Sequence, residues 1–339
     1  MRVDNSHRTP SKIPEPIIHS PVQPSVNTAG EPRNDQYQQH TNSFRSSGGS
    51  SVLTDAARRV KKEVSSQAVS PTVTVHNSKL DTVSDPKLEI KKQATAPNGL
   101  YKVNYSVPSP HPGLSNITFP MSIDEGLQKK THKDPGIYHA MQFVVNDSGG
   151  KRLGGGYIGM QPRGDGKALV TFSGYGPHFK APQGSAEFDG EKGASNSTLV
   201  DFKFGNKYNL TVERDPQNPQ RLSAYIQDVT DPDNLGSKQH VQDLDVDRKV
   251  ALAGRNVGFV EQYGAKINRS SQIAPAGGSF SAPFTTDEKG NVKTGVINSN
   301  GFYGRYKNSM VGNEQITKES GAGKEIHFSF QGVGSEKKA

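Results

Sequence analysis

Three carboxylates stand at alternate positions in the short segment EFDGE, which spans residues 187–191. Pairs of carboxyl groups cleave glycosidic bonds, one acting as general acid and the other as nucleophile or base. Retaining cleavage needs the two groups about 5 Å apart, whereas positions i and i+4 of a regular strand lie about 13 Å apart at Cα. Glu187, Asp189 and Glu191 are therefore candidate catalytic residues if the backbone bulges or the side chains lean together. The alternative is an exposed acidic loop.

A second set of residues combines tyrosine rings with polar groups. Tyrosine has an apolar ring and a polar tip, which suits sugar binding. The alternative is ordinary decoration of a sheet surface, because alternation alone produces such rows of side chains. The residues that we predict to contact a ligand are Tyr157, Gln161, Tyr175, His178, Glu261 and Tyr263.

The elements that position the first of these tyrosines lie in residues 137–176, which read as three β-strands joined by two glycine-rich turns. Strands separated only by short turns pair antiparallel, because parallel neighbours need a long crossover. Side chains alternate between the two faces of a strand. We therefore expect Ile158 and Met160 to point into the core, and Tyr157 and Gln161 to face water or a ligand.

Other site chemistries have weaker signals. Asp228, Asp231 and Asp233 offer oxygen ligands for calcium, but Asp, Pro and Asn together are typical of a turn. The ten histidines show no HxH or HExxH spacing, and the chain has no cysteine. Neither a nucleophilic serine elbow nor a phosphate-binding loop is present. The sequence thus predicts no metal and no cofactor.

Composition excludes several classes of protein. The 339 residues include no apolar run of 18 or more, so we expect no membrane span. No apolar segment follows the N-terminal Met1, so a cleavable secretory signal is not expected. Residues 1–98 hold 13 Lys and Arg against 9 Asp and Glu, and residues 99–339 hold 28 against 24. Because the net charge of +8 is spread evenly, a nucleic-acid partner is not expected. We expect a monomer.

The chain divides near residue 98. Residues 1–98 contain only 2 of the 25 aromatic residues but 9 of the 22 prolines. Such a segment buries too little apolar surface to offset the entropy of ordering, so we predict it to be disordered. The composition of this segment and the absence of cysteine from the chain resemble those of exported bacterial effectors. We therefore predict a secreted virulence protein, delivered into a host cell by a specialised secretion system that reads residues 1–98.

Residues 99–339 carry many short strand patterns separated by Gly and Pro turns, and no convincing long amphipathic helix. This pattern predicts an all-β, antiparallel β-sandwich of the jelly-roll or concanavalin-like type. Besides the three strands of residues 137–176, the predicted strands are 101–107, 116–121, 199–204, 207–213, 221–229, 257–260, 279–284, 301–306 and 325–330.

Several motifs occur in a familiar order: YHAMQF, GYIGMQ, ALVTFSGYG, FDGEKGAS, DFKFGNKYNLTV and GFVEQYG, which together span about residues 137–264. This order resembles the bacterial family called domain of unknown function 3472. Tyr175 and Phe204 stand where that family has tryptophan. The resemblance implies a concanavalin-like sandwich, often attached to extracellular or carbohydrate-related proteins, and it brings no established catalytic residue.

Two functions follow as hypotheses. The first is a recognition domain that binds a carbohydrate or another host-surface ligand through its tyrosine-bearing face. The alternative is a polysaccharide hydrolase or lyase that uses Glu187, Asp189 and Glu191. A third possibility is protein binding through sheet edges. The identity of the ligand or substrate is left open by the sequence.

Overall fold

The computed structural model describes residues 74–77, 98–131, 133–182, 186–188, 191–264, 266–319 and 323–334. Apart from residues 74–77 and 98, the segment predicted to be disordered lies outside the described residues. The first strand after residue 98 begins at Gly99.

Twenty strands and two 3₁₀ turns form within the described residues. They are β1 (Thr74–Asn77), β2 (Gly99–Ser106), β3 (Asn116–Ile123), β4 (Gly136–Asp147), β5 (Arg152–Pro162), β6 (Lys167–Tyr175), β7 (Phe179–Lys180), β8 (Ala186–Phe188), β9 (Glu191–Asp201), β10 (Lys207–Arg214), β11 (Arg221–Asp228), β12 (Gln239–Val246), β13 (Val250–Leu252), β14 (Arg255–Tyr263), the 3₁₀ turn Ser270–Gln272, β15 (Ala276–Ser281), β16 (Phe284–Thr286), β17 (Val292–Thr294), β18 (Val296–Phe302), the 3₁₀ turn Gly304–Tyr306, β19 (Met310–Glu319) and β20 (Gly323–Gly332).

The strands form two sheets. The eleven-stranded sheet has the order β1-β19-β20-β15-β3-β10-β11-β12-β7, with β16 and β17 attached beside β3. The nine-stranded sheet has the order β18-β2-β14-β4-β5-β6-β9-β8, with β13 attached to β4. Neighbouring strands pair antiparallel, and the described residues contain no α-helix. The predicted all-β antiparallel sandwich is thus confirmed, whereas its jelly-roll connectivity stays a prediction.

None of the helical turns that the structure describes has the length or the hydrophobicity needed to cross a membrane.

The core lies between the sheets and is built from side chains at alternate positions. Ile158 and Met160 are fully buried there, as the alternation of β5 predicts. Tyr101 on β2 stacks against Phe328 on β20, with ring centroids 4.3 Å apart, and so joins the two sheets. Aromatic pairs of this kind add to the stabilisation that comes from burial alone.

Predicted and observed strand bounds differ in several places, for example at β9 and β18. β9 begins at Glu191, eight residues before the predicted start, because the polar run that follows Glu191 pairs with β6. The predicted strand over residues 301–306 is wrong beyond residue 302. β18 ends at Phe302, and Gly304–Tyr306 forms a 3₁₀ turn.

A histidine lies inside the core. His139 on β4 is 2% exposed, and its Nε2 lies 3.2 Å from the carbonyl oxygen of Gly277 on β15. Its ring also stacks against Phe328. Burial lowers the pKa of His139 to about 4, although the contact with Gly277 and the charge of Asp124 oppose this shift. His139 is therefore neutral at pH 7.

Candidate functional site

The outer face of the nine-stranded sheet carries a second aromatic cluster, separate from the core. We call it the tyrosine face and define it by Tyr138, Tyr157, Tyr175, Tyr263 and Tyr303, together with Phe259, Gln161 and Glu261. Its members alternate along β4, β5 and β14 with residues of the main core, so they point away from the other sheet.

Strand register places Glu261 and Gln161 in one row across the sheet. Glu261 on β14 pairs with Tyr138 on β4, and the register of β4 with β5 continues this row to Gln161. Two strand spacings therefore separate Glu261 from Gln161, about 10 Å at Cα. A bulge between Val260 and Glu261, where β14 pairs with β2, changes the local register. Bulges re-aim side chains and are common beside active sites.

Three tyrosine rings lie over glycine residues of the same face. A Cβ atom at Gly99 would come within 2.4 Å of the Tyr303 ring, and one at Gly136 would come equally close to Tyr263. At Gly155 a Cβ atom would lie 2.4 Å from the Tyr175 hydroxyl. These rings can occupy their places only because the sheet residues beneath them have no side chain.

Hydrogen bonds fix the polar groups of the face. The Tyr263 hydroxyl donates to Gln161 Oε1 at 2.5 Å, and Arg163 Nη2 donates to the same oxygen at 2.8 Å. At the other end of the face, Gln142 Nε2 donates to the Tyr175 hydroxyl at 2.9 Å. The Gln161 side chain is thus held between a tyrosine and an arginine.

The charge of Glu261 affects three tyrosines around it. Burial raises the pKa of Tyr138, Tyr263 and Tyr303, and the nearby Glu261 carboxylate raises each of them further. For Tyr263 the positive charge of Arg163 opposes the shift. These hydroxyls therefore stay protonated at neutral pH, and the Tyr263 hydroxyl donates to Gln161. Within the described residues the Tyr138 hydroxyl is buried without a hydrogen-bond partner, an arrangement that costs free energy.

The structure brings together five of the six predicted ligand contacts: Tyr157, Gln161, Tyr175, Glu261 and Tyr263. His178 lies elsewhere, after β6, where its Nδ1 is 2.8 Å from Asp247 Oδ2. That carboxylate also accepts from Arg248, and these hydrogen bonds hold the pKa of Asp247 far below its usual range.

The expectation that Tyr157 and Gln161 meet water is wrong. Both lie on the predicted face, but Tyr157 is 3% exposed and Gln161 is 1% exposed. Tyr157 packs edge-on against Tyr138 and Phe259, and Gln161 is held by Tyr263 and Arg163. The ring edges within reach of solvent belong to the half-buried Tyr175 and Tyr303.

The three candidate catalytic carboxylates lie on a different part of the sheet. Phe188 pairs with Glu191, so Glu187 and Glu191 belong to the two strands of a β8–β9 hairpin, and Asp189 falls outside the described residues. β9 is four strand spacings from β14, which is about 19 Å. Glu191 and Glu261 therefore lie at separate sites on the sheet, and the catalytic role of the hairpin stays a prediction.

Sequence reasoning missed some residues of the tyrosine face. Tyr138 had a usable signal, because alternation along β4 points its side chain to the opposite face of the sheet from that of Ile137. Tyr303 had none, since only the pairing of β18 with β2 brings it over Gly99. Lys129 and Arg163, which lie outside the tyrosine face but next to Tyr263 and Gln161, were also missed.

The aspartates considered as calcium ligands make local contacts. Asp228 Oδ1 accepts from the backbone of Thr230, and Asp231 Oδ1 accepts from the backbone of Asp233. Asn206 donates to the second oxygen of Asp228. Among the residues that the structure describes, no group of three or more His, Asp or Glu side chains is arranged to hold a metal ion.

Comparisons with known proteins add little. No family model matches the chain, and no curated protein sequence matches it. Among solved structures, Scytalido-glutamic peptidase with a peptide-based transition-state analogue is 11% identical, with a TM-score of 0.36, over 69% of this chain and 98% of that chain. The CBM2 module of the Lactobacillus casei BL23 phage J-1 evolved Dit is 9% identical, with a TM-score of 0.18, over 59% and 94%. Similarities this distant carry no inference about activity.

Proposed function

We propose that this chain is a recognition protein whose tyrosine face binds a carbohydrate. The observation that carries the proposal is the set of three tyrosine rings that lie over Gly99, Gly136 and Gly155 on one face of the nine-stranded sheet. Aromatic rings offer apolar surface to the C–H faces of a sugar, and the tyrosine hydroxyl is a polar tip that hydrogen-bonds its hydroxyls.

Burial divides the face into two parts. Tyr175 and Tyr303 are half-buried at its margins and are within reach of a ligand. Tyr157 and Tyr138 belong to the buried cluster against which Tyr175 and Tyr303 pack. Small-molecule sites combine an apolar lining with a few placed polar groups in this manner. The ligand contacts the margin rings, whereas Glu261 and Gln161, which are 2% and 1% exposed, do not reach it directly.

A glycan-array screen of the full chain tests the proposal. After a hit is found, Gly99→Ala should push the Tyr303 ring aside and lower the affinity by about tenfold, because the contact surface of one aromatic ring is lost. Gly126→Ala is the matched control, since a Cβ atom there would meet only ordinary contacts. Equal affinity of both variants, or no hit on the array, would contradict the proposal.

The alternative function is a polysaccharide hydrolase or lyase. One observation favours it: the pairing of Phe188 with Glu191 places Glu187 and Glu191 on adjacent strands, within about 8 Å at Cα rather than the 13 Å of a single strand. An assay for released reducing ends, with the wild type and Glu191→Gln, separates the two functions. Turnover that disappears in Glu191→Gln would support the enzyme, and we expect no turnover.

We also propose that the protein is secreted and that residues 1–98 direct its export. The composition of that segment supports this, as does the resemblance to domain of unknown function 3472, which is often attached to extracellular proteins. Fusion of residues 1–98 to a reporter enzyme tests the proposal. Export of the fusion, but not of the reporter alone, is the expected result.

A further inference from the structure

A mostly buried lysine lies at one end of the tyrosine face. Lys129 is 9% exposed, and its backbone forms a parallel bridge with Arg163, next to β5. Its Nζ donates to the carbonyl of Asp134 and lies 5.7 Å from the centroid of the Tyr263 ring. Lysine is rarely buried to this degree unless its ammonium group is paired, and here the Asp134 carbonyl accepts its hydrogen bond.

Arg163 brings a second positive charge to the same place. It is half-buried, and its Nη2 is held by Gln161 Oε1, which also accepts the hydrogen bond of Tyr263. Within the described residues no carboxylate oxygen lies within 4 Å of the Arg163 guanidinium. The planar guanidinium therefore keeps donors for an anionic oxygen.

The two cations affect each other. Burial lowers the pKa of Lys129, the positive charge of Arg163 lowers it further, and the charge of Asp134 opposes both effects. Asp134 is itself engaged, since its Oδ2 accepts from the backbone N–H of Thr131 at 2.7 Å. Like charges held side by side at the margin of a binding face attract an anionic group.

The remaining acidic side chains of this region are placed differently. Asp165 is exposed in the turn after β5. Glu261 lies one row further along the sheet than Tyr263, which is about 7 Å at Cα. An anion bound beside Lys129 and Arg163 is therefore one row of the sheet away from Glu261.

We infer that Lys129 and Arg163 form a subsite for one anionic group, carboxylate or sulfate, carried by the carbohydrate that binds the tyrosine face. This inference rests on the proposed function and names its ligand class as acidic glycans. Arg163 supplies paired donors to the anion, and Lys129 supplies a second charge beside the Tyr263 ring. Neutral sugars bind the tyrosine rings but leave this subsite empty.

The test uses the full chain and four probes in calorimetric titrations: tetragalacturonate, its methyl ester, a sulfated tetrasaccharide from heparin, and inorganic sulfate. We expect tetragalacturonate or the sulfated probe to bind at least about tenfold more tightly than the methyl ester, as hydrogen bonds to charged groups predict. Which of the two binds better distinguishes carboxylate from sulfate. Weaker affinity at higher salt should accompany this preference.

Two variants assign the effect to the subsite. Lys129→Met and Arg163→Gln should each lower the affinity for the preferred acidic probe by about 10- to 100-fold and lower the affinity for the methyl ester by a much smaller factor. Lys167→Gln is the control, because it removes the same charge from an exposed lysine that pairs with Asp201. Thermal unfolding of each variant shows whether the fold is intact, and the two subsite variants act as independent checks.

Three results would overturn the inference. If the methyl ester binds as tightly as tetragalacturonate and the sulfated probe, the tyrosine face binds sugars but the subsite does not exist. If inorganic sulfate binds as tightly as the oligosaccharides, the cations form an anion site that is unrelated to a glycan. If none of the four probes binds, the inference fails and the proposed function fails with it.

Discussion

Acidification should destabilise the protein through His139. The unfolded chain binds a proton at an ordinary histidine pKa of about 6.5, whereas burial in the core lowers the folded value to about 4. The unfolded state thus gains protons first as the pH falls, and the free energy of unfolding decreases between pH 6.5 and pH 4. The full difference of about 2.5 pKa units corresponds to about 3 kcal/mol, of which about 2 kcal/mol is lost between pH 7 and pH 4.5.

The other groups with a shifted pKa change the free energy of unfolding outside this pH range or in the opposite direction. The lowered pKa values of Asp228 and Asp287 make their contributions disappear only below about pH 4. His327, which lies 3.0 Å from Asp124, has a raised pKa. Its contribution is fully present at low pH and is lost as the pH rises through its folded value.

Urea unfolding followed by tyrosine fluorescence measures the effect, since the chain has 11 tyrosines and no tryptophan. We expect the free energy of unfolding of the wild type to decrease from pH 7 to pH 4.5. For His139→Gln the decrease over the same range should be smaller by about 2 kcal/mol. His327→Gln is the control with the opposite sign, because it removes a group that stabilises at low pH. Parallel pH profiles of the wild type and His139→Gln would refute the assignment.

Three further predictions concern buried contacts, each measured as a urea midpoint. Tyr138→Phe removes a buried hydroxyl that has no partner among the described residues, so stability should rise by about 1 kcal/mol; a loss would show that the hydroxyl is bonded. Asn116→Ala should cost about 2 to 4 kcal/mol, because the side chain bonds both backbone groups of Thr286 at 2.8 and 2.9 Å; a cost below 1 kcal/mol would contradict this. Gly159→Ala should destabilise the protein by about 1 to 3 kcal/mol, because its Cβ atom would lie 2.4 Å from the His139 carbonyl oxygen. An unchanged midpoint would show that β4 can shift without a cost in stability.

The sequence was informative wherever one face of a strand is apolar. Tyr101, Val103 and Tyr105 alternate with polar residues, and β2 appears where this alternation predicts it. β12 and β19 were missed because their exposed faces are polar and their buried faces carry few large side chains. Such strands depend on pairing with neighbours, and that information is not local in the chain.

The same contrast, between local alternation and pairing with distant strands, explains which features of the candidate site the sequence predicted. Alternation along β5 gave the face of Tyr157 and Gln161 correctly, because it depends only on strand geometry. Their burial could not be predicted, since it depends on which residues of β4 and β14 lie beside them. The position of Glu261 opposite Tyr138 is a matter of register between strands more than 100 residues apart in the chain.

The rings that lie over Gly99, Gly136 and Gly155 have a consequence for how this surface tolerates change. A tyrosine there can be exchanged for phenylalanine with its outline preserved, whereas any side chain at the glycine beneath displaces the ring altogether. In a saturation mutagenesis experiment sorted for binding, the least tolerant positions should therefore be the three that contribute no side-chain atom to the ligand.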